Sequence, residues 1–281
     1  MRPVFFSLPI PYFGYIPIFS YEALRALGAI IGFIIVANRG KRLGLNPSRV
    51  LTASFWGLTF AFISARIFYV IQYYLYYHKH PIEIFKIWGG GSVYYGGLIG
   101  GFIFLLFYCR KTGLNVWKYF DTIAPAIALG IAFARIGCFL AGCCYGTTSL
   151  LPWAVHYPKG SGPYKGQIEG LILTPGSPYS LPVHPVQLYE AIGCLLIMII
   201  IIYDSKKLFD GQNFFNFVGL YAILRFILEY FRADADRGYF IVPYVSVSQG
   251  ISLLLLLFLF VVYTIKLRDK TKELGKVTFL S

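Results

Sequence analysis

Seven long apolar stretches constrain this chain more than any other feature of its sequence. They lie near residues 18–37, 50–74, 93–109, 119–142, 186–203, 213–231 and 245–265. A bilayer hydrocarbon core about 30 Å thick takes roughly 20 mostly apolar residues per helix, and each stretch meets that length. Of 281 residues, 57% are hydrophobic and 13% charged, with a mean hydropathy of +0.65. Soluble domains run at about 45–50% apolar and about 25% charged. The composition therefore excludes a water-soluble enzyme, a disordered chain and a disulfide scaffold. The chain reads as an all-α membrane protein, a single polytopic domain over residues 1–281 with seven transmembrane helices.

Lys and Arg number 25 against 12 Asp and Glu, a net charge of +13. In a soluble chain that surplus would raise nucleic acid as a partner. Here it sits in the short connections between apolar runs, where it sets topology and meets anionic lipid headgroups, so no nucleic-acid partner is expected. One set of connections holds fourteen basic residues: Arg39, Lys41, Arg42, Arg49, Arg110, Lys111, Lys118, Lys206, Lys207, Lys266, Arg268, Lys270, Lys272 and Lys276. The opposite set holds seven: Arg2, Lys79, Lys86, Lys159, Lys165, Arg232 and Arg237. The positive-inside rule then puts the C-terminus in the cytoplasm and the N-terminus outside. Residues 1–17, with Pro3, Pro9, Pro11 and Pro17 and no continuous apolar core, read as an interfacial segment rather than a cleaved signal. A long external loop, about 146–185 and rich in Gly, Pro and Ser, separates the fourth and fifth spans.

Eight ionisable residues fall within or at the edges of the spans: Glu22, Arg25, Arg66, Asp121, Arg135, Glu190, Arg225 and Glu229. A charge at mid-membrane costs about 2.5–3.5 kcal/mol on insertion scales, so such residues face a protein interior or wet cavity and mark function. Glu22, Arg25 and Asp121 lie near span ends, where snorkelling to the headgroups is cheap. Arg225 and Glu229 are spaced four apart on one helix face and can pair, and Tyr221 extends the same stripe one turn back. Arg135 stands among the small residues Ala134, Gly137, Ala141 and Gly142, which admit close backbone approach. Its fork of donors suits a phosphate. Two such arginines on different spans point to a phospholipid headgroup.

Other segments add polar groups. Gly89 to Gly101 enters the third span through a glycine run that reads equally as a phosphate cradle or as helix packing. His184-Pro185-Val186-Gln187-Leu188-Tyr189-Glu190 opens the fifth span with a proline near its first turn. Cys138, Cys143 and Cys144 cluster near the end of the fourth span. They read as small buried hydrophobes, as a disulfide on an oxidising face, or as soft-metal ligands with His156 or His184. A retinal protein is disfavoured, because the last span has no interior lysine; Lys266 lies at its end.

In this order, Arg66-Ile67-Phe68-Tyr69-Val70, Lys86-Ile87-Trp88 with the glycine run to Gly100, Ala134 to Gly146, His184 to Glu190, Tyr221 to Glu229 with Arg232, and Gln249-Gly250 resemble the landmarks of the bacterial prolipoprotein diacylglyceryl transferase family. The resemblance covers nearly the whole chain. It implies a multi-pass enzyme of the bacterial cytoplasmic (inner) membrane that moves the diacylglyceryl group of phosphatidylglycerol onto the thiol of a lipobox cysteine in a prolipoprotein, releasing glycerol phosphate. The implied partners are phosphatidylglycerol, prolipoprotein lipobox peptides and membrane lipid, with no cofactor and no metal. On this resemblance Arg135 holds the headgroup, Arg225 is the second essential arginine, Glu229 its acidic neighbour, Tyr221 the tyrosine of the same motif, and Gly146 closes the signature. Arg66, Cys138, His184, Gln187 and Glu190 complete the substrate-contacting set.

The chain departs from the family pattern at several positions, among them the first span, which offers Arg25 or Leu27 where the family has a tyrosine. Tyr95 stands where the family has a histidine proposed as proton acceptor, and Cys138, Ala141 and Cys143 replace the signature's two Asn and its acidic residue. A thiol with an ordinary pKa near 8.5 must lose its proton to attack carbon, and a tyrosine near 10 accepts it only where cations lower its pKa. Tyr95, Glu229 and His184 are the candidate bases, and Tyr95 joins Arg135, Arg225 and Glu229 in the catalytic set. The alternative reading is a membrane protein of this fold repurposed for lipid binding or thiol chemistry.

Overall fold

Long apolar runs fold as helices in lipid because each backbone N–H and C=O must find its partner within the segment. The computed structural model describes residues 4–10, 14–86, 91, 93–203, 208–233, 239–241 and 245–278. Ile87, Trp88, Gly89, Gly90 and Ser92 of the glycine-rich segment, Pro3 and Pro11 near the start, and Arg2, Lys206, Lys207 and Arg237 of the loop charges lie outside the described residues.

A two-stranded antiparallel hairpin, β1 (Val4–Ile10) and β2 (Gly14–Phe19), precedes α1 (Ser20–Arg42) and α2 (Pro47–Gln72). The short α3 (Tyr74–Lys79) and a 3-10 turn (Pro81–Phe85) lead to α4 (Tyr94–Thr112) and α5 (Val116–Ala141). The long connection that follows contains α6 (Gly162–Glu169), and then come α7 (Val186–Tyr203) and α8 (Gln212–Leu228) with a 3-10 turn at Glu229–Phe231. A second small hairpin, β3 (Tyr239–Ile241) and β4 (Val245–Ser246), precedes α9 (Val247–Thr278). Each expected span thus coincides with a helix. Among the described residues, six helices are long and apolar enough to cross a membrane. The third expected span, α4, is helical, but its glycines, its paired tyrosines and Arg110 and Lys111 in its last turn dilute its apolarity. The proline-rich start is paired β-strand, because Pro9 and Pro17 sit in a two-stranded ribbon in which either strand can leave a backbone N–H unpaired.

The chain divides into two compact units: Met1–Gly32 with Ala124–Ser281, and Phe33–Ile123. In the first, a stripe of fully buried alanines on α5 (Ala124, Ala128 and Ala132) meets Ile197 and Ile201 of α7, Ala191 and Cys194 nearer the start of α7, and Phe217 of α8. Small residues at such seams let helices approach where lipid removes the hydrophobic drive between them. Large side chains such as Leu254, Phe258 and Phe260 point outward, the inverse of a soluble protein's surface. The helix starts follow local rules. Asn46 caps α2 by accepting from the amides of Ser48 and Arg49, and Ser246 and Gln249 form a reciprocal capping box at α9.

In the second unit, α2 and α4 are held together by glycine. A side chain at Gly97 would meet the Ala61 carbonyl at 3.0 Å, one at Gly101 the Ala61 Cβ at 3.1 Å, and one at Gly100 would collide with Ser64. Packing therefore accounts for the described glycines of this run. Asp121, expected to snorkel, is instead fully buried, and its backbone carbonyl accepts a hydrogen bond from Arg39 Nε at 3.1 Å. Glu22 and Arg25 do pair at the surface, 3.7 Å apart. Replacing Gly100 by Val should force α2 and α4 apart at a cost of about 1–3 kcal/mol, seen as a lower unfolding temperature in detergent. An unchanged melting curve would contradict this packing.

Candidate functional site

Four helix ends of the first unit bring charge together. Arg135 is in the last two turns of α5, Glu190 in the first turn and a half of α7, Tyr221 and Arg225 in the second half of α8, and Ser248 in the first turn of α9. Glu190 is 1% exposed. Its Oε2 lies 3.0 Å from Arg135 Nε and 3.9 Å from Arg225 Nη1, and its Oε1 accepts a hydrogen bond from Tyr221 Oη at 2.9 Å. Arg225 Nη2 donates to Glu229 Oε2 at 3.2 Å and to Ser248 Oγ at 3.1 Å. Tyr221 is fixed by stacking on Phe217, with 6.0 Å between ring centroids.

This network holds two guanidinium groups with donors left over. Arg225 Nη1 is buried and, at 3.9 Å from Glu190, has ion-pair distance without a hydrogen bond. Arg135 engages Glu190 through Nε at 3.0 Å, and a guanidinium carries further donors on its two terminal nitrogens. A buried unsatisfied donor of this kind is uncommon in native structures and calls for a partner. The complement fits an anion with several acceptor oxygens.

Gly146 organises the rim. Its amide donates to the His184 carbonyl at 3.1 Å, and it forms an antiparallel bridge with Arg232. A Cβ here would lie 2.6 Å from both Cβ and O of His184 and 2.7 Å from the Phe231 carbonyl, so no larger residue fits between the start of α7 and the end of α8. His184 Nδ1 is 3.3 Å from Tyr189 Oη, and its ring packs against Phe231. Gln187, also buried, donates through Nε2 to the Cys143 carbonyl at 2.7 Å and to Tyr157 Oη at 3.1 Å. Burial pushes the Tyr157 hydroxyl, in the long loop, up to about 12.

The end of α5 turns sharply. Gly142, at φ +76°, and the amide of Cys143 both bond back to the Cys138 carbonyl, as in a left-handed helix stop. Cys138 follows Arg135 by about one turn, and the Cys138, Cys143 and Cys144 sulfurs lie within 4.8 Å of one another as free thiols. The adjoining Cys138 and Cys143 thiols and the charges of Arg135 and Arg232 act to lower the Cys144 thiol pKa from its ordinary range.

Nine of the eleven expected residues therefore lie in the first unit, five of them in one network. Arg66 and Tyr95 belong to the second unit, Phe33–Ile123. Arg66 donates to four backbone carbonyls, those of Glu83, Ile84, Lys86 and Gly91, at 2.8 to 3.1 Å. It borders a cleft of about 430 Å³ walled by Tyr69, Tyr73, Tyr76 and Tyr77. Tyr95 opens α4 and is 60% exposed. Sequence reasoning did not single out Ser248 or Tyr157. The Ser-x-x-Gln capping pattern around Ser248 marks a helix start that faces Arg225, whereas nothing local signals Tyr157. Replacing Glu190 by Ala leaves two guanidinium groups without their shared counter-charge and should destabilise the protein by about 3–5 kcal/mol. Glu190→Gln, which still accepts from Tyr221, should lose less. Equal melting temperatures for wild type and Glu190→Ala would refute the network's structural role.

Comparisons with known proteins identify the family. The family model described as prolipoprotein diacylglyceryl transferase matches residues 8–265. The chain is 34% identical over 254 residues to the phosphatidylglycerol–prolipoprotein diacylglyceryl transferase of Clostridium tetani, covering 90% of this chain and 93% of that one. It is 36% identical over 222 residues to the enzyme of that name from Finegoldia magna, covering 78% and 81%. With the Staphylococcus carnosus enzyme of the same name it shares 33% identity over 258 residues, 91% of this chain and 86% of that one. A match of this extent, running through Arg135, Glu190 and Arg225, means that the chain belongs to the prolipoprotein diacylglyceryl transferase family.

Proposed function

We propose that the protein transfers the diacylglyceryl group of phosphatidylglycerol to the thiol of a lipobox cysteine in a prolipoprotein. The observation that carries this reading is the pair of arginines held by Glu190, with the buried Arg225 Nη1 left without a hydrogen-bond partner. The phosphodiester of the lipid binds there, with Arg135 and Arg225 donating to its non-bridging oxygens. Their charge stabilises the phosphate as it leaves, the step where negative charge develops. The peptide thiolate attacks the glyceryl carbon bonded to that phosphate, a carbon–sulfur bond forms, the carbon–oxygen bond breaks, and glycerol phosphate departs. Holding lipid and peptide side by side removes the entropic cost of their meeting.

The thiol proton needs an acceptor. Glu190 and Glu229 are committed to arginines, which leaves Tyr95, at the family's histidine position by resemblance, and His184 as the candidate acceptors; we assign Gln187 to the peptide side of the rim. Arg66, bonded to four carbonyls of the segment before α4, acts on substrate by fixing that segment. The chain crosses the cytoplasmic membrane of a bacterium seven times, through α1, α2, α4, α5, α7, α8 and α9. The basic excess at Arg39–Arg49, Arg110–Lys118 and the C-terminal end of α9 supports a cytoplasmic C-terminus and an N-terminus outside. The network then lies toward the outer face, where exported prolipoproteins arrive.

With phosphatidylglycerol and a lipobox peptide in detergent or vesicles, the wild type should yield a thioether product and glycerol phosphate in equal amounts. Arg135→Ala and Arg225→Ala should each lower kcat/KM by a factor of about 10² or more, the scale for removing one preorganised donor to a developing anion. Wild-type rates in both variants would overturn the assignment. Turnover lost in Tyr95→Phe with phosphatidylglycerol binding intact would select the tyrosine as acceptor. Turnover retained by Tyr95→Phe but lost in His184→Gln would select the histidine.

A further inference from the structure

We propose that Cys138, Cys143 and Cys144 form a binding site for one thiophilic metal ion, of the class of monovalent copper, at the C-terminal end of α5. The transfer reaction proposed above assigns no bond-making or proton-transfer step to these three thiols, yet the fold brings them together. Cys138 sits in the last turn of the helix, Gly142 reverses the chain in a left-handed conformation, and Cys144 itself takes a left-handed φ of 57°. The three sulfurs lie within 4.8 Å of one another. A planar three-thiolate ion with metal–sulfur bonds of about 2.3 Å, the zinc–thiolate value, needs sulfurs about 4.0 Å apart. Side-chain rotation supplies the remaining contraction of less than about 1 Å without moving backbone.

Chemistry narrows the ion. Thiolate ligands select soft metals. Among the described residues the cluster brings three sulfurs and no His, Asp or Glu ligand atom. Zinc prefers four ligands, whereas a monovalent copper ion is satisfied by three sulfurs. Three thiolates and a monovalent cation leave two net negative charges, which lie within the electrostatic reach of Arg232 and of the Arg135–Glu190 pair. Cys143 is exposed, which gives the ion a path in, while Cys138 is buried and shields the site. Each thiol releases its proton to solvent as the sulfur binds. The proposal does not depend on transfer activity.

The test is an anaerobic titration of the reduced full-length protein in detergent with monovalent copper, in competition with the chromogenic chelator bicinchoninate, with zinc as a second arm. One copper per chain should bind with a thiolate-to-metal absorption band in the near ultraviolet. Cys143→Ser, at an exposed position that keeps the fold, and Cys144→Ser should each weaken binding at least roughly tenfold. Cys109→Ser and Cys194→Ser, whose thiols are buried outside the cluster, should bind as wild type does. Any of four results would overturn the proposal: no stoichiometric copper, wild-type affinity in Cys143→Ser, zinc bound in preference to copper, or a disulfide within the cluster in protein purified without reductant.

Discussion

Everything at the centre of this protein depends on one buried carboxylate. Glu190, almost wholly shielded, holds Arg135 from α5 and Arg225 from α8 on the same oxygen and takes the Tyr221 hydroxyl on the other. In a low-dielectric interior two guanidinium groups would repel and each would carry a large desolvation cost. One shared carboxylate offsets both costs and fixes the spacing between the cations. It does not use up their donors, because a carboxylate has two oxygens and two arginines carry ten N–H groups. The surplus is what an incoming phosphate takes up.

The surrounding structure serves that arrangement. The alanine stripe of α5 lets α7 and α8 come close enough for short ion pairs. Gly146 permits the Cys143–Thr147 segment to lie against the starts and ends of two other helices with backbone almost touching backbone. Gln187 ties the first turn of α7 to the Cys143 carbonyl, so the end of the signature and the helix that carries Glu190 are held together. Ser248, presented by the capping box of α9, completes the shell of Arg225. Polar groups in a membrane protein are costly unless satisfied, and here Glu190 is shared by Arg135, Tyr221 and Arg225 from helices distant in sequence.

The turn beside the arginines carries a cluster of three thiols, Cys138, Cys143 and Cys144. The same backbone reversal through Gly142 that ends α5 also aims the sulfurs at one another, so a site for a soft ion arises from a helix stop rather than from a dedicated loop.

Hydropathy and the order of motifs were enough to locate the long apolar helices, to pick out charged residues that the fold brings into one network and to point to the family, because these signals are local: a run of apolar residues must be helical in lipid, and Arg225 and Glu229 must share a face four residues apart. The sequence left other matters open, each for a physical reason. Whether Gly97, Gly100 and Gly101 serve a phosphate or pack helices depended on what lies across from them, and the answer was Ala61 and Ser64 of α2. Asp121 looked like a snorkelling end residue but is buried, since its depth is set by neighbouring helices and not by its place in a run. The proline-bearing start gave no strand alternation to read, yet it pairs as a hairpin. Above all, that Glu190 and not Glu229 joins the two arginines was a tertiary decision, because ion pairing between helices follows from their rotation and register, and no sequence periodicity encodes either.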